Sequence, residues 1–571
     1  MKCLQCAKAN LNKLIMQWTW YKHSSIIHLE NSISKPTKNK RKHLVPRSPH
    51  HEDLFCYAAT QCRFSSADMT EDENVLDSIL LEVGEFGKYQ RRTCVLIFYA
   101  ATVAYFSSVI YVFETKHVNY RCAISGCDSD STTYKPSWWT NAIPSTNNEP
   151  TKCTRYQFVN NSIPDFCDDS DFDKSSLVKC KSFVYETNEI SILHDFELQC
   201  EENMWKLTLV GSINSFGTLV GLPLTGIISD RFGRKTVLVC GLVLSGLIGL
   251  TRSFVSSYII YAVLECLDAI CGFGTFPAIL ILGVEFVGPK MRVIVSLLVS
   301  VFFAFGGVIE GSVAWIVQSW RTLLRILYPF SLLVVFHFWL LPESVRWLLA
   351  KNKFDKARKV LEHLAKVNGK SIKEESFKQL EAYTLKEDKL GNDYLTQFFS
   401  STSLVLRLVN CSISWMFCTF LYNGLTVNSV KLSGNSYLDF ILIMIVEILG
   451  SISYVMVDKI GRKKTLAGGF SLTAITCISS IFVPLEIYWL KLILYLFGKY
   501  GVSISIAVLY TLTSEIFPTP LRNTLLSTCS MFGALGAMAA PQMPLLEARW
   551  QPLPLLLFGC TSIIATIFVN T

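Results

Sequence analysis

The chain has 571 residues, half of them apolar, with 17% charged and a formal net charge of +8. The charged share falls below the roughly 25% of soluble proteins, and apolar stretches of about 20 residues, enough to cross a bilayer, recur from Cys94 onward. This excludes a soluble enzyme, and with no basic-aromatic stripe or zinc spacing the positive balance does not point to nucleic acid.

Residues 1–68 stand apart. They hold a basic run from Lys38 to Lys42 and lack the apolar core of a cleaved signal peptide. They read as a basic, disordered leader ahead of a natural start at Met69, which precedes Glu71-Asp72-Glu73.

Twelve helical spans are expected, at about 92–113, 204–228, 236–253, 257–284, 291–316, 322–341, 402–423, 436–457, 466–484, 488–514, 524–546 and 553–570. Residues 69–341 form a first six-helix half with a large loop at 114–203, and 402–571 form the second half.

The large loop carries Cys122, Cys127, Cys153, Cys167, Cys180 and Cys200 together with an acidic excess. An even set of cysteines implies a disulfide framework in an oxidising compartment, with fifteen pairings open. Asn160-Asn161-Ser162 is a glycosylation sequon. Both features place the loop outside the cell.

Between the halves, 342–401 is a charged helical insertion with apolar spacing at Phe354, Ala357, Val360, Leu361 and Leu364. Its Lys/Arg excess matches the clusters Arg231/Arg234/Lys235 and Arg462/Lys463/Lys464, and the positive-inside rule puts all three in the cytoplasm. An even span count then leaves both termini cytoplasmic, in a plasma-membrane protein. The insertion's Gly369-Lys370-Ser371 lacks the upstream glycine of a phosphate loop, so no nucleotide and no cofactor is expected.

An internal repeat fixes the architecture. Asp230-Arg231-Phe232-Gly233-Arg234-Lys235 follows span two, and Asp458-Lys459-Ile460-Gly461-Arg462-Lys463 follows span eight. Glu285 and Arg292 at the end of span four match Glu515 and Arg522 at the end of span ten, with the same internal spacing. Two repeated six-span halves describe an all-α transporter whose path lies between them. Each turn's Asp is suited to cap a helix, and its Arg to meet a carboxylate of its own half, Glu285 or Glu515, as a latch.

These residues resemble the organic cation, anion and carnitine transporter family of the major facilitator superfamily. The matching stretches are Leu81–Gln90, Glu285-Phe286-Val287-Gly288, Pro342-Glu343-Ser344-Val345-Arg346-Trp347, Tyr437-Leu438-Asp439-Phe440 and Glu515-Ile516-Phe517-Pro518-Thr519-Pro520-Leu521-Arg522-Asn523. The resemblance implies alternating-access transport of a small organic ion across the lipid bilayer.

A carboxylate deep in a bilayer is expensive and therefore a functional candidate. Glu447 lies mid-span in helix eight, where cation-handling relatives keep a Glu; Glu265, Asp268 and Glu310 add negative charge in spans four and five. No Lys or Arg is expected equally deep, with Lys499 and Arg325 nearer span ends. A negative cavity favours cations by charge and by cation–π contact. Alignment to the family implies Phe276, Phe305 and Tyr422 as its aromatic wall. On span eleven, relatives place Asp for cations and Arg for anions or carnitine; this chain has Ala534. A carnitine-like zwitterion or organic-anion carrier, and a non-transporting membrane scaffold or receptor, are the alternative readings. No nucleophile–base pair suggests an enzyme.

Overall fold

Apolar segments that cross a bilayer must satisfy each backbone N–H and C=O internally, which selects the helix. The computed structural model describes residues 74–128, 133–146, 149–159, 167–387, 401–431, 435–454, 457–484, 487–517 and 522–570. The leader and Asn160 lie outside the described residues.

Ten helices among the described residues are long and apolar enough to cross a membrane: α1 (Lys88–Glu114), α2 (Glu201–Phe232), α3 (Arg234–Arg252), α4 (Tyr258–Glu285), α5 (Pro289–Val317), α6 (Trp320–Leu340), α7 (Thr402–Val430), α8 (Ser436–Ser453), α10 (Tyr488–Ile516) and α12 (Leu553–Asn570). Arg462–Ile481 (α9) and Arg522–Ala539 (α11) complete the twelve. The expected span 524–546 is divided: α11 ends at Ala539, a 3₁₀ turn carries Pro541, and a short helix runs Met543–Arg549. Proline lacks the N–H that would continue the ladder.

The repeat is visible in the backbone. Gly233 and Gly461, between α2 and α3 and ahead of α9, have φ of 108° and 96°, a region open to glycine and strained for other residues. Helices α1–α6 and α7–α12 form two bundles that meet along α2 against α11 and α5 against α8.

Between α1 and α2 stands a small β-rich domain with its own core around Cys122, Ile124, Ile143 and Phe172. Its strands are β1 (Tyr120–Cys122), β2 (Ser145–Thr146), β3 (Glu149–Pro150), β4 (Thr154–Phe158), β5 (Phe172–Lys179) and β6 (Phe183–Tyr185). They pair antiparallel as β1–β6, β2–β3 and β4–β5. The six cysteines pair as Cys122–Cys180, Cys127–Cys167 and Cys153–Cys200. Arg121, fully buried, holds Asp128 at 2.7 Å and crosses to the Tyr134 carbonyl at 2.7 Å.

This domain grips the first bundle. Ile190 N–H donates to the Gln318 carbonyl and Trp320 N–H to the Ile190 carbonyl, at 2.9 and 3.1 Å. Asp195 takes Arg321 at 2.6 Å and the Trp320 indole at 2.9 Å.

At the opposite end the insertion forms helices Val345–Ala350, Phe354–Asn368 and Glu374–Glu387. Ala357, Leu361 and Leu364 are buried. Asn368 ties the insertion to α1, accepting from Tyr89 N–H at 3.0 Å and donating to Gln90 at 2.9 Å.

Candidate functional site

Glu447 of α8 is 6% exposed, and Tyr422 of α7 donates its hydroxyl to Oε1. The other oxygen faces Lys499 of α10, whose Nζ is 3.0 Å away and whose residue is fully buried. Lys499 Nζ also lies 3.6 Å from the Tyr422 ring centroid and donates to Thr426 Oγ1 at 2.8 Å. The carboxylate is thus neutralised within its own bundle.

Lys499 corrects one expectation, since a cation does lie as deep as Glu447. Arg252 corrects a second. At the end of α3 it is fully buried and pairs with Glu114 at 2.9 Å, with Glu265, and with Asp268 at 3.4 Å. Tyr261 donates to Glu114 and Tyr328 to Asp268, and Asn214 donates to Glu265 at 2.8 Å. Glu265 and Asp268 therefore belong to a structural cluster inside the first bundle, not to a negatively charged cavity. Burial without such partners would cost several kcal/mol per ion.

An aromatic row faces Glu447 from the first bundle. Phe276 lies 4.6 Å from Phe303, and Phe303 lies 4.9 Å from Tyr105, between ring centroids. Tyr105 donates to Met444 Sδ of α8 at 2.9 Å, one turn before Glu447. Phe276 lies in this row and Phe305 does not. Phe305 is 44% exposed and meets Phe302 edge-on at 6.4 Å. Two residues along a helix are about 200° apart, so with Phe303 facing inward Phe305 faces outward. Phe303 is the inward-facing ring that the sequence did not single out, because abundant phenylalanines hide it. Ala534 of α11 is buried, at 4% exposed.

The bundles close on the side of the cysteine domain. Thr208 of α2 donates to Gln542 Oε1 at 3.2 Å, Ser212 donates to the Met538 carbonyl at 2.9 Å, and Gln542 donates to Ser212 at 2.7 Å. A Cβ on Gly211 would stand 2.6 Å from Pro541 and from the Tyr111 ring, so only glycine allows this approach. Phe113 of α1 packs on Phe440 at 4.8 Å and Tyr437 at 5.8 Å, and Lys116 Nζ sits 3.9 Å over the Tyr437 ring.

At the other end lie the repeated charges. Arg462 meets Glu515 through Nε at 2.9 Å and Nη2 at 2.9 Å, the arrangement anticipated for the second half. In the first half Arg234 pairs with its own Asp230 at 3.0 Å, while Glu285 accepts from Ser344. The Pro-Glu-Ser-x-Arg-Trp segment explains the difference. Glu343 accepts the Lys235 N–H at 3.1 Å, Ser344 caps the helix through Trp347 N–H at 3.1 Å, and Trp347 Nε1 donates to the Asp230 carbonyl at 2.9 Å. Arg292 pairs not with Glu285 but with Asp77, which Arg346 also reaches at 2.9 Å. Asp77 escaped the sequence reading because it precedes the first span. The side chains of Asp458 and Arg522 lie outside the described residues.

Two bundles related by an internal repeat, closed at one end around a buried polar and aromatic centre, define a multi-pass membrane carrier of the alternating-access type. The pattern of the Major Facilitator Superfamily matches residues 192–541, and the chain belongs to that family. An organic cation transporter protein of Drosophila melanogaster is 28% identical over 506 residues, covering 86% of this chain and 90% of the relative. Solute carrier family 22 member 1 of Oryctolagus cuniculus is 29% identical over 513 residues, covering 86% and 91%. Member 3 of the same carrier family from Mus musculus is 27% identical, covering 85% and 90%. Among solved structures, the xylose transporter XylE from E. coli in a partially occluded inward open conformation superposes with a TM-score of 0.57 at 13% identity, over 84% of this chain and 98% of that one.

Proposed function

We propose that this carrier moves small organic cations by rocking its two bundles about Glu447, with the cysteine domain extracellular and the charged insertion and termini cytoplasmic, in the plasma membrane. The observation that carries the reading is the Tyr422–Glu447–Lys499 group opposite the Phe276–Phe303–Tyr105 row. An organic ammonium entering there replaces Lys499 as the partner of Glu447 and gains the aromatic faces. Names of the relatives support the substrate class. Net movement of one positive charge is driven by about 2.3 kcal/mol per 100 mV, so no coupling ion is needed. The Arg462–Glu515 pair and the Arg234–Asp230–Glu343 group act as latches at the cytoplasmic ends.

One observation favours a second reading. Lys499, fully buried beside Glu447, gives the centre both signs, which suits a zwitterion whose carboxylate takes the lysine and whose ammonium takes the glutamate.

Uptake of a labelled panel of organic cations, zwitterions and anions separates these readings. Saturable cation uptake that falls on depolarisation and is lost in Glu447→Gln supports the first. Zwitterion uptake abolished equally by Glu447→Gln and Lys499→Met supports the second. Background flux for every compound, with the protein at the surface, would show a scaffold instead.

A further inference from the structure

Glu310 of α5 is fully buried, and neither of its oxygens has a hydrogen-bond partner. The other fully buried carboxylates of the described helices are all provided for: Glu114, Glu265 and Asp268 by Arg252, and Asp439 by a partner of its own. Glu447, almost as buried, has Tyr422 and Lys499. Glu310 sits in the seam between the bundles. One turn before it, Gly307 approaches Tyr105 and Met444, and the next residue, Gly311, approaches Phe440 and Ile441 of α8. Phe440 is also the residue on which Phe113 closes the cysteine-domain side.

The groups around Glu310 offer it no compensation. From α1 it faces Tyr105, Tyr111 and Glu114; Tyr105 gives its proton to Met444 Sδ, and Glu114 is already held by Arg252. On α8, Glu447 is committed to Lys499 and Asp439 has a partner of its own. A bare carboxylate at such depth is costly, whereas the uncharged acid avoids most of that cost.

We propose that Glu310 is a proton-binding site in the outer gate. When α5 closes on α8, the carboxylate takes one proton from the solution on the cysteine-domain side and forms the O–H bond. When the seam opens, the group rehydrates and the same proton returns to the same side. No proton crosses the membrane; external acidity instead sets how much of the carrier is closed outside. One proton taken up per closure shifts that equilibrium by at most about tenfold per pH unit.

The test uses the full chain at the cell surface with a reporter, Thr208→Cys, at a gate residue that is 8% exposed and bonded to Gln542. A membrane-impermeant thiol reagent is applied outside over a range of pH, and its rate is divided by that of the same reporter combined with Glu310→Met. The ratio cancels thiolate chemistry and any response of His117, which lines the same side. We expect a ratio that rises with pH, approaching tenfold per unit, while Glu310→Asp behaves as the parent. A ratio that stays flat overturns the proposal. Methionine needs no hydrogen-bond partner; should that variant fail to reach the surface, Glu310→Gln serves as the divisor with the same two outcomes. The readout requires no substrate, so it stands or falls independently of the organic-cation reading.

Discussion

Lys499 Nζ lies 3.0 Å from Glu447 Oε2, and both residues are buried in the second bundle. Removing one partner strands the other as an unpaired charge, which costs about 3–5 kcal/mol, whereas removing both is much less damaging. Lys499→Met alone should therefore lower the melting temperature of the solubilised protein sharply, and Lys499→Met with Glu447→Gln should recover much of it. Equal losses in the single and double variants would show that the pair is not coupled.

Arg252 serves three carboxylates at once. Arg252→Leu leaves Glu114, Glu265 and Asp268 without a cation in a dry interior, again a loss of about 3–5 kcal/mol or more. We expect little mature protein at the surface, measured by biotinylation, and only partial rescue by Arg252→Lys, since a lysine cannot reproduce the guanidinium's several directed bonds.

Phe303 and Phe305 offer a paired control. Phe303→Ala removes the ring between Phe276 and Tyr105 and should raise the half-saturating substrate concentration several-fold, in line with the roughly 1–2 kcal/mol of an aromatic–cation contact. Phe305→Ala, on an exposed face, should leave uptake close to that of the parent. The reverse order would place the wall on the other side of α5.

Gly211 tests the outer closure. Gly211→Val places carbon where Pro541 and the Tyr111 ring already stand. The closed conformation loses ground, and labelling of an outer-gate cysteine from the cysteine-domain side should increase. Unchanged labelling would mean that α2 and α11 relax around the added side chain at little cost.

His194 supplies a pH dependence outside the membrane. Burial holds its basicity below the usual 6.5, with Asp195 partly opposing. Its Nδ1 accepts the Ser191 N–H at 3.3 Å, and its ring packs on Tyr185 at 3.8 Å. A histidine kept neutral by the fold contributes stability above its unfolded-state value, and that contribution is lost as pH falls from there through the lower folded-state value. Protease nicking of the cysteine domain should therefore rise as pH drops below about 6.5, and His194→Gln should flatten that rise.

The repeat was legible because a tight turn imposes local demands: Gly233 and Gly461 must both adopt positive φ, and each draws basic residues beside it. Pairing among six cysteines depended on strand contacts distant in sequence and was not legible. Arg252 drew no attention in the sequence, which cannot show that this helix end lies beneath a folded domain. Lys499 was misjudged for a different reason: the expected span 488–514 already puts it near mid-helix, where α10, beginning at Tyr488, carries it. The choice between Phe303 and Phe305 needed the rotation of α5, which apolar composition on every face leaves unspecified.

The cysteine domain is bolted to the first bundle through Ile190, Asp195 and the Cys153–Cys200 bridge at the head of α2. It touches the second bundle chiefly where Lys116 rests on Tyr437. It therefore rides as cargo on one rocker while facing the other. A large molecule, such as an antibody fragment, that grasped this domain together with the neighbouring tip of α8 would act as a splint across the hinge. Such a binder would arrest turnover without entering the substrate path, and small substrates could not compete it away.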